Sequence, residues 1–244
     1  MSLACLSTSL KTDMFTHYPS LQDKVVFISG GSSGIGAEIV KAFCAQGSKV
    51  AFNGTKAGGG DALIEEITRA GHPAPTYAQC DVRDIPALQA MLEGVCDSLG
   101  VIQVLINNAG RDDRHSLDEL TPEYWDNCLN INLRHQVFAT QTVARRVRGA
   151  GLRASIINMG SISWMRGRPN LIGYTASKAA ISGMTRTLAR ELGMDNIRVN
   201  ALVPGAIVTE RQTALWRNPD EDKIFLDHQC LKFRLQSIHV AKPA

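Results

Sequence analysis

Short apolar runs rich in β-branched residues alternate along this chain with longer segments of helical periodicity. This alternation is typical of βαβ units, in which parallel strands form one sheet and the connecting helices cover its faces. Six runs are predicted to be strands, at residues 24–29, 49–53, 76–80, 101–107, 154–158 and 198–202. The sequence therefore predicts an α/β fold with a doubly wound parallel sheet.

The chain is long enough for one domain with a large core, since it has 244 residues of which 44% are hydrophobic. Residues 21–244 are predicted to form that domain, and residues 1–20 a loose N-terminal arm. The first 20 residues lack the apolar centre of a signal peptide, and no apolar run reaches the 18 or so residues that a membrane helix needs. We therefore expect no membrane partner.

The composition also limits which classes of partner the protein is expected to bind. The net charge is only +3, and no cluster of Lys and Arg alternates with aromatic residues, which argues against nucleic acid. The six cysteines have neither paired nor metal-ligand spacing. We therefore expect reduced thiols, no bound metal and a cytoplasmic location.

A glycine-rich segment, residues 29–36, joins the first predicted strand to the first predicted helix. Glycines there permit a tight turn and close approach of a pyrophosphate, whose charge the helix N-terminus would hold. The spacing of Gly30, Gly34 and Gly36 differs from the common G-x-G-x-x-G pattern, and an ordinary Gly/Ser turn is the alternative. The segment 107–110 ends the fourth strand, at the sheet edge where such folds bind ligands.

Three side chains in the second half of the chain indicate proton transfer. Tyr174 and Lys178 stand one helical turn apart, and Ser161 follows the fifth strand. A phenol has a reference pKa of about 10, and an ammonium group one turn away is expected to lower the pKa towards neutrality. Ser161 would hold the same substrate oxygen as Tyr174. The alternative is a surface helix that happens to carry both residues.

A long helix is predicted from Thr121 and Pro122, as N-cap and first-turn residue, to about Arg148. Asn132 lies in its middle, where asparagine lowers helix propensity and competes for backbone hydrogen bonds. The position therefore predicts a local distortion or a specific hydrogen bond. An exposed asparagine is the alternative.

Taken in order, these motifs resemble the short-chain dehydrogenase/reductase family, from about residue 21 to about residue 235. The resemblance implies a Rossmann-type single domain that binds NAD or NADP and is a homo-oligomer. It places the catalytic tetrad on Asn132, Ser161, Tyr174 and Lys178. It implies that cofactor is bound by Gly30, Ser32, Ser33, Gly34, Ile35, Gly36, Asp81, Val82, Asn107, Asn108, Ala109, Gly110, Tyr174, Lys178, Pro204, Gly205, Ile207 and Thr209.

A narrower likeness, to bacterial aldose 1-dehydrogenases of the D-xylose type, lies in residues 112–115, 131–135, 160–164 and 229–232. It implies oxidation of a sugar at C1 to the aldonolactone. Trp164 would lie against the sugar ring and Asp113 would bind hydroxyls, whereas the alternatives are a packed Trp164 and a solvated Asp113. A reductase of ketones or 3-oxoacyl thioesters is the second interpretation within the family.

Two features depart from the family pattern. An acidic residue that selects NAD is missing at the end of the second strand, where Gly54, Thr55 and Lys56 stand, and Lys56 favours NADP or dual use. Relatives continue after residues 230–232 into a further helix and a final strand, which this chain lacks. A truncated, non-catalytic dinucleotide-binding protein is therefore the alternative of another class.

Overall fold

A computed structural model describes residues 16–216 and 219–244 of the chain. Six parallel strands form one sheet in the order β3-β2-β1-β4-β5-β6. Their bounds are β1 (Val25–Ile28), β2 (Lys49–Gly54), β3 (Thr76–Gln79), β4 (Val104–Asn107), β5 (Ala154–Met159) and β6 (Ile197–Leu202). The predicted α/β class and doubly wound parallel sheet are confirmed.

Helices connect the strands and continue beyond the sheet. Their bounds are α1 (Gly34–Ala45), α2 (Asp61–Arg69), α3 (Ile85–Leu99), α4 (Pro122–Leu129), α5 (His135–Ala150), α6 (Ile172–Leu192), α7 (Glu210–Leu215), α8 (Pro219–Asp227) and α9 (Ile238–Ala241). Two short parallel strands, β7 (Ile207–Val208) and β8 (Leu235–Gln236), form a second sheet near the carboxyl end of the main one.

The central strands β1 and β4 of the main sheet are buried on both faces. In β1, Val25 and Phe27 pack in one apolar cluster, with α3 and α5, while Val26 and Ile28 pack in the other, with α1. Successive side chains of a strand point to opposite faces, so a strand covered on both sides is apolar throughout. This is why the strands were recognisable as continuous apolar runs.

The predicted helix from Thr121 to Arg148 is interrupted. Thr121 caps α4 as predicted, because its hydroxyl accepts a hydrogen bond from the Tyr124 amide at 3.1 Å. At Asn130–Arg134 the backbone forms a π-helical turn before α5 begins. The local distortion predicted from Asn132 is confirmed, and the single continuous helix is wrong.

Both ends of the described chain pack on α1 or next to it. The Tyr18 amide donates to Oε1 of Gln46 at 2.7 Å, and Nε2 of Gln46 donates to the Thr16 carbonyl at 3.1 Å. These bonds fix residues 16–18, while the rest of the predicted loose arm, residues 1–15, lies outside the described residues. Near the other end, Val240 and Ala241 are buried against α1.

β6 is an edge strand, since no described strand pairs with its outer side. Ile197 and Val199 are nevertheless buried, and Arg198 and Asn200 alternate with them as exposed residues.

Across the residues that the structure covers, no helix is both long and apolar enough to cross a lipid bilayer.

Candidate active site

A cavity of about 820 Å³ opens at the carboxyl end of the main sheet. Its walls include the loop after β1 (residues 30–36), the loop after β4 (residues 108–112) and the segment after β5 (residues 159–163). β1 and β4 are neighbours in the sheet, and the strand order reverses between them. Ligands of open α/β sheets bind at such a switch point.

The glycine loop is shaped for close backbone approach. Gly30 and Gly34 have φ angles of +65° and +56°, which other residues rarely adopt. A Cβ atom at Gly36 would lie 2.1 Å from the Gly30 carbonyl oxygen. Nδ2 of Asn108 donates to the carbonyls of Ser29 and Gly30, both at 3.0 Å, and so fixes the loop against the end of β4.

This cradle fits a dinucleotide, because the N-terminus of α1 and small residues of both loops face the cavity. The cavity is lined by Gly30, Ser32, Ser33, Gly34, Ile35, Gly36, Asp81, Val82, Asn108, Ala109, Gly110, Tyr174, Lys178, Pro204, Gly205, Ile207 and Thr209. The expectation for Asn107 is wrong, because its side chain is fully buried and donates to Oδ1 of Asn158 at 2.9 Å. It joins β4 to β5 instead.

Three members of the predicted tetrad line the same cavity: Ser161, Tyr174 and Lys178. Nζ of Lys178 lies 5.5 Å from the centre of the Tyr174 ring and donates to the Met159 carbonyl at 2.7 Å. The Ser161 hydroxyl lies 2.8 Å from that of Ser163 and accepts a hydrogen bond from the Ser163 amide at 3.2 Å.

Burial governs the protonation of this site. It raises the pKa of Tyr174 to about 12, although the hydrogen bond with Ser161 acts in the opposite direction. It lowers the pKa of Lys178 to about 8, while the charge of Asp112 acts against it. The predicted lowering of the tyrosine pKa is therefore wrong for the protein without cofactor. Desolvation disfavours both charged forms and outweighs the effect of the neighbouring groups.

Asn132 lies behind the cavity wall and is almost completely buried. Its Oδ1 accepts from the Arg111 amide at 2.9 Å, and its Nδ2 donates to the carbonyls of Arg111 and Cys128, both at 3.0 Å. The predicted specific hydrogen bond is confirmed, and the exposed alternative is wrong. The amide joins the π-helical turn to the loop after β4.

His135 was not singled out from the sequence, although it follows Asn132 by one helical turn. It is fully buried, and its Nε2 lies 3.1 Å from the Ala109 carbonyl. Burial, reinforced by the positive charge of Lys178, lowers its pKa to about 4. The ring is therefore neutral at physiological pH, and it supports the loop that carries Ala109.

The two predicted substrate residues are absent from the lining of the cavity. Asp113 is paired with Nη2 of Arg211 at 2.5 Å and with Nε of Arg111 at 3.1 Å, and 40% of its side chain is exposed. Trp164 is 37% exposed. Asp112, the neighbour of Asp113, does line the cavity and accepts from Nε2 of Gln212 at 2.6 Å.

At the far end of the cavity, the lining includes Gly54 and Thr55 but not Lys56. Asp81 forms an ion pair with Arg83, whose Nε lies 3.0 Å from both carboxylate oxygens, and this pairing lowers the pKa of Asp81. Arg83 also donates to Oδ1 of Asn127 at 2.9 Å. This guanidinium is thus held in place by two side chains.

Comparison with known proteins agrees with this geometry. The short chain dehydrogenase family model matches residues 24–220. D-xylose 1-dehydrogenase of Caulobacter vibrioides is 45% identical over 227 residues, which are 92% of this chain and 88% of the relative. A probable galactose dehydrogenase of Rhizobium meliloti is 42% identical over 228 residues, which are 93% of this chain and 89% of the relative.

Solved structures show the same fold. A putative short-chain alcohol dehydrogenase from Sinorhizobium meliloti has a TM-score of 0.84 at 27% identity, and the match covers 91% of this chain and 88% of that one. A putative NAD(P) dependent gluconate 5-dehydrogenase from Beutenbergia cavernae, with bound NADP, has a TM-score of 0.84 at 25% identity. This match also covers 91% of this chain and 88% of that one. This chain belongs to the short-chain dehydrogenase family and is an NAD(P)-dependent oxidoreductase acting on CH–OH groups.

Proposed function

We propose that this dehydrogenase oxidises an aldose at C1 to the aldonolactone, with Tyr174 as the general base. The observation that carries the proposal is that Ser161, Tyr174 and Lys178 line one cavity with the glycine loop 30–36. The aldose specificity is supported by the two relatives named for xylose and galactose.

The cofactor, when bound, supplies the acceptor for the hydride that leaves C1. Tyr174 takes the proton of the C1 hydroxyl, and the Ser161 hydroxyl holds the same oxygen. Because burial keeps the phenol protonated in the protein without cofactor, the phenolate depends on positive charge in the cavity. Lys178 provides part of this charge from the chain itself, since it is mostly protonated at neutral pH with a pKa of about 8, and the oxidised nicotinamide, when bound, would add to it.

Asn132 acts in this proposal as a positioning residue. Its amide is engaged by Arg111 and Cys128, and these hydrogen bonds do not leave it directed at substrate. A Cβ atom at Gly110 would lie 2.8 Å from Oδ1 of Asn132 and 3.4 Å from Nζ of Lys178. Asn132 therefore sets the separation between the loop after β4 and the lysine.

The same cavity supports the use of NADP, alone or together with NAD. NAD-binding proteins of this fold use an acidic side chain at this position to bind the ribose hydroxyls. Gly54 cannot be replaced by such a residue without rearrangement, because a Cβ atom there would lie 2.7 Å from Oγ of Ser32. Lys56 follows in an exposed loop, where its ammonium is available to a 2′-phosphate.

The test is reduction of NAD or NADP, followed at 340 nm, with xylose, arabinose, galactose and glucose. At least one aldose should be oxidised. Tyr174→Phe should lose about 10²- to 10⁴-fold in turnover while its affinity for the cofactor is retained, since the phenol oxygen acts in proton transfer. Folded protein that reduces no cofactor with any aldose, but reduces ketones, would contradict the proposal.

A further inference from the structure

We propose that Tyr77 is a positioning residue for cofactor selection, because it fixes the backbone that presents Lys56 to the 2′-phosphate of NADP before the cofactor binds. The inference rests on the use of NADP proposed above and adds a residue on which that selectivity depends. We call residues 55–60, which join β2 to α2, the β2 loop.

Two side chains of β3 hold the backbone of the β2 loop. The Tyr77 hydroxyl donates to the Lys56 carbonyl, and Nε2 of Gln79 donates to the Thr55 carbonyl at 3.1 Å. Tyr77 and Gln79 are two residues apart on one strand, so their side chains lie on the same face of the sheet. The Gly59 amide donates to the same Lys56 carbonyl at 3.1 Å and closes the turn beyond it. The backbone of Lys56 is therefore fixed by β3 as well as by its connection to β2.

Glycines make room for the Tyr77 ring. A Cβ atom at Gly60 would lie 2.5 Å from Cγ of Tyr77, and one at Gly54 would lie 3.1 Å from the Tyr77 hydroxyl oxygen. Gly60 has a φ of −102°, a value that other residues adopt, so only the close approach of the ring requires glycine there. The hydroxyl of Tyr77 thus lies beside the position at which proteins of this fold carry the acidic residue that selects NAD.

Tyr77 acts on the cofactor site through other residues. It is absent from the lining of the cavity, whereas Gly54 and Thr55 line the far end. Its ring packs on Phe52, with the ring centres 5.3 Å apart. Phe52 in turn packs on the glycine loop, since a Cβ atom at Gly31 would lie 2.6 Å from Cβ of Phe52. The ring of Tyr77 therefore supports both cofactor loops, while its hydroxyl acts on the β2 loop.

A fixed backbone matters for a lysine that binds phosphate. The ammonium group is a point charge on a flexible stem, and binding to a phosphate orders that stem. If the β2 loop also had to become ordered on binding, the additional loss of conformational entropy would lower the affinity further. NAD has a hydroxyl in place of the 2′-phosphate and gains nothing from the ammonium of Lys56. Loss of the Tyr77 hydroxyl should therefore weaken the binding of NADP more than that of NAD.

The test compares the Kd for NADP with the Kd for NAD, both measured by fluorescence titration without sugar, in wild type and Tyr77→Phe. This substitution removes the hydroxyl and keeps the ring that packs on Phe52. The affinity for NADP relative to NAD should fall by about three- to tenfold, which corresponds to the loss of one hydrogen bond. The Kd for NAD itself should change little.

A double-mutant cycle shows whether Tyr77 acts through Lys56. Lys56→Gln removes the ammonium group, so adding Tyr77→Phe to it should cause no further fall in the relative affinity for NADP. The same fall in both backgrounds would overturn the inference. Gly60→Ala reaches the hydroxyl by another route, because the added Cβ must displace the Tyr77 ring, and it should also lower the relative affinity for NADP.

Tyr18→Phe and Gly94→Ala are the matched controls. Tyr18 is exposed and does not line the cavity, and a Cβ atom at Gly94 would meet no atom within 4 Å. Tyr18→Phe removes the same hydroxyl group elsewhere, and Gly94→Ala adds the same methyl group elsewhere. Both should keep the relative affinity for NADP at the wild-type value.

The two proposals fail in different ways. If Lys56→Gln weakens NADP binding and Tyr77→Phe does not, only the inference about Tyr77 is contradicted. Equal weakening of NADP and NAD in Tyr77→Phe also contradicts it, because the residue would then support the site as a whole. If Lys56→Gln leaves the affinity for NADP unchanged, the proposed use of Lys56 fails and this inference with it. None of these measurements uses a sugar, so they do not depend on the aldose dehydrogenase function.

Discussion

Three buried ionisable side chains near the active site are each shifted towards their neutral form. The pKa of Tyr174 is raised to about 12, that of Lys178 is lowered to about 8 and that of His135 to about 4. Burial is the largest cause in each case, because a low dielectric disfavours charge. In the absence of cofactor Tyr174 and His135 are therefore neutral at neutral pH, while Lys178 remains mostly protonated.

His135 should make the protein sensitive to acid. Its pKa in the folded state, about 4, lies below the value of about 6.5 expected in the unfolded state. Between these values the unfolded chain binds more protons, so the free energy of unfolding decreases as pH falls. When the pH is lowered from about 7 to about 4.5, the free energy of unfolding of the wild type should fall by about 2 to 3 kcal/mol more than that of His135→Gln. Urea unfolding at both pH values measures this difference.

His72 provides the control, because it is exposed on the turn after α2. His72→Gln should follow the wild-type dependence of unfolding free energy on pH. If His135→Gln also follows it, the ring is not kept neutral by burial.

Residue spacing predicted the members of the site better than it predicted their chemical state. Tyr174, Lys178 and Ser161 were recognisable because their separations along one helix and after one strand are local properties. The direction of the tyrosine pKa was not, since it depends on how much surrounding chain covers the ring. The ion pair of Asp113 with Arg211 was not predictable for a similar reason, because Arg211 is far away in the sequence.

At the level of elements, the break between α4 and α5 shows what a single unfavourable residue can indicate. Asn132 predicted either a distortion or exposure. Its partners, Arg111 and Cys128, decide between them, and Arg111 belongs to a loop whose position follows from the sheet. The sequence located the irregularity, while the π-helical turn follows from these tertiary contacts.

The first turn of α1 should tolerate no side chain at Gly36. A Cβ atom there would lie 2.1 Å from the Gly30 carbonyl oxygen and 2.7 Å from Nδ2 of Asn108, so Gly36→Ala must displace the cofactor loop. We expect the Kd for NADP, measured by fluorescence titration, to rise at least about tenfold, with a loss of about 1 to 3 kcal/mol in the free energy of unfolding.

Gly94→Ala is the matched substitution in another helix. Gly94 lies within α3, and an added Cβ would meet no atom within 4 Å. It should stabilise the protein by about 0.5 to 1 kcal/mol, because alanine favours the helix, and leave NADP affinity as in wild type. Equal NADP affinity in Gly36→Ala and Gly94→Ala would refute the proposed close packing of the loop.

For the whole molecule, the predicted strands agree with the sheet to within a few residues at each end. β4 is the largest exception, since it begins at Val104 rather than at residue 101. Strands covered on both faces are continuous apolar runs, which makes them easy to recognise. The part after β6 is not of this kind. Its elements are short: β7 and β8 have two residues each, and α9 has four.

Cofactor choice should be visible in the stability of the whole protein. A cofactor present at about 100 times its Kd adds about 2.7 kcal/mol to the free energy of unfolding. For a chain of this size, this raises Tm by about 5 to 10 °C. We expect NADP to raise Tm at least as much as NAD does at equal concentration, because Gly54 offers no carboxylate to the ribose. Lys56→Gln should reduce only the NADP increment, whereas Lys49→Gln, at the opposite end of β2, should change neither. A larger increment with NAD, unaffected by Lys56→Gln, would show that NAD is selected by other residues.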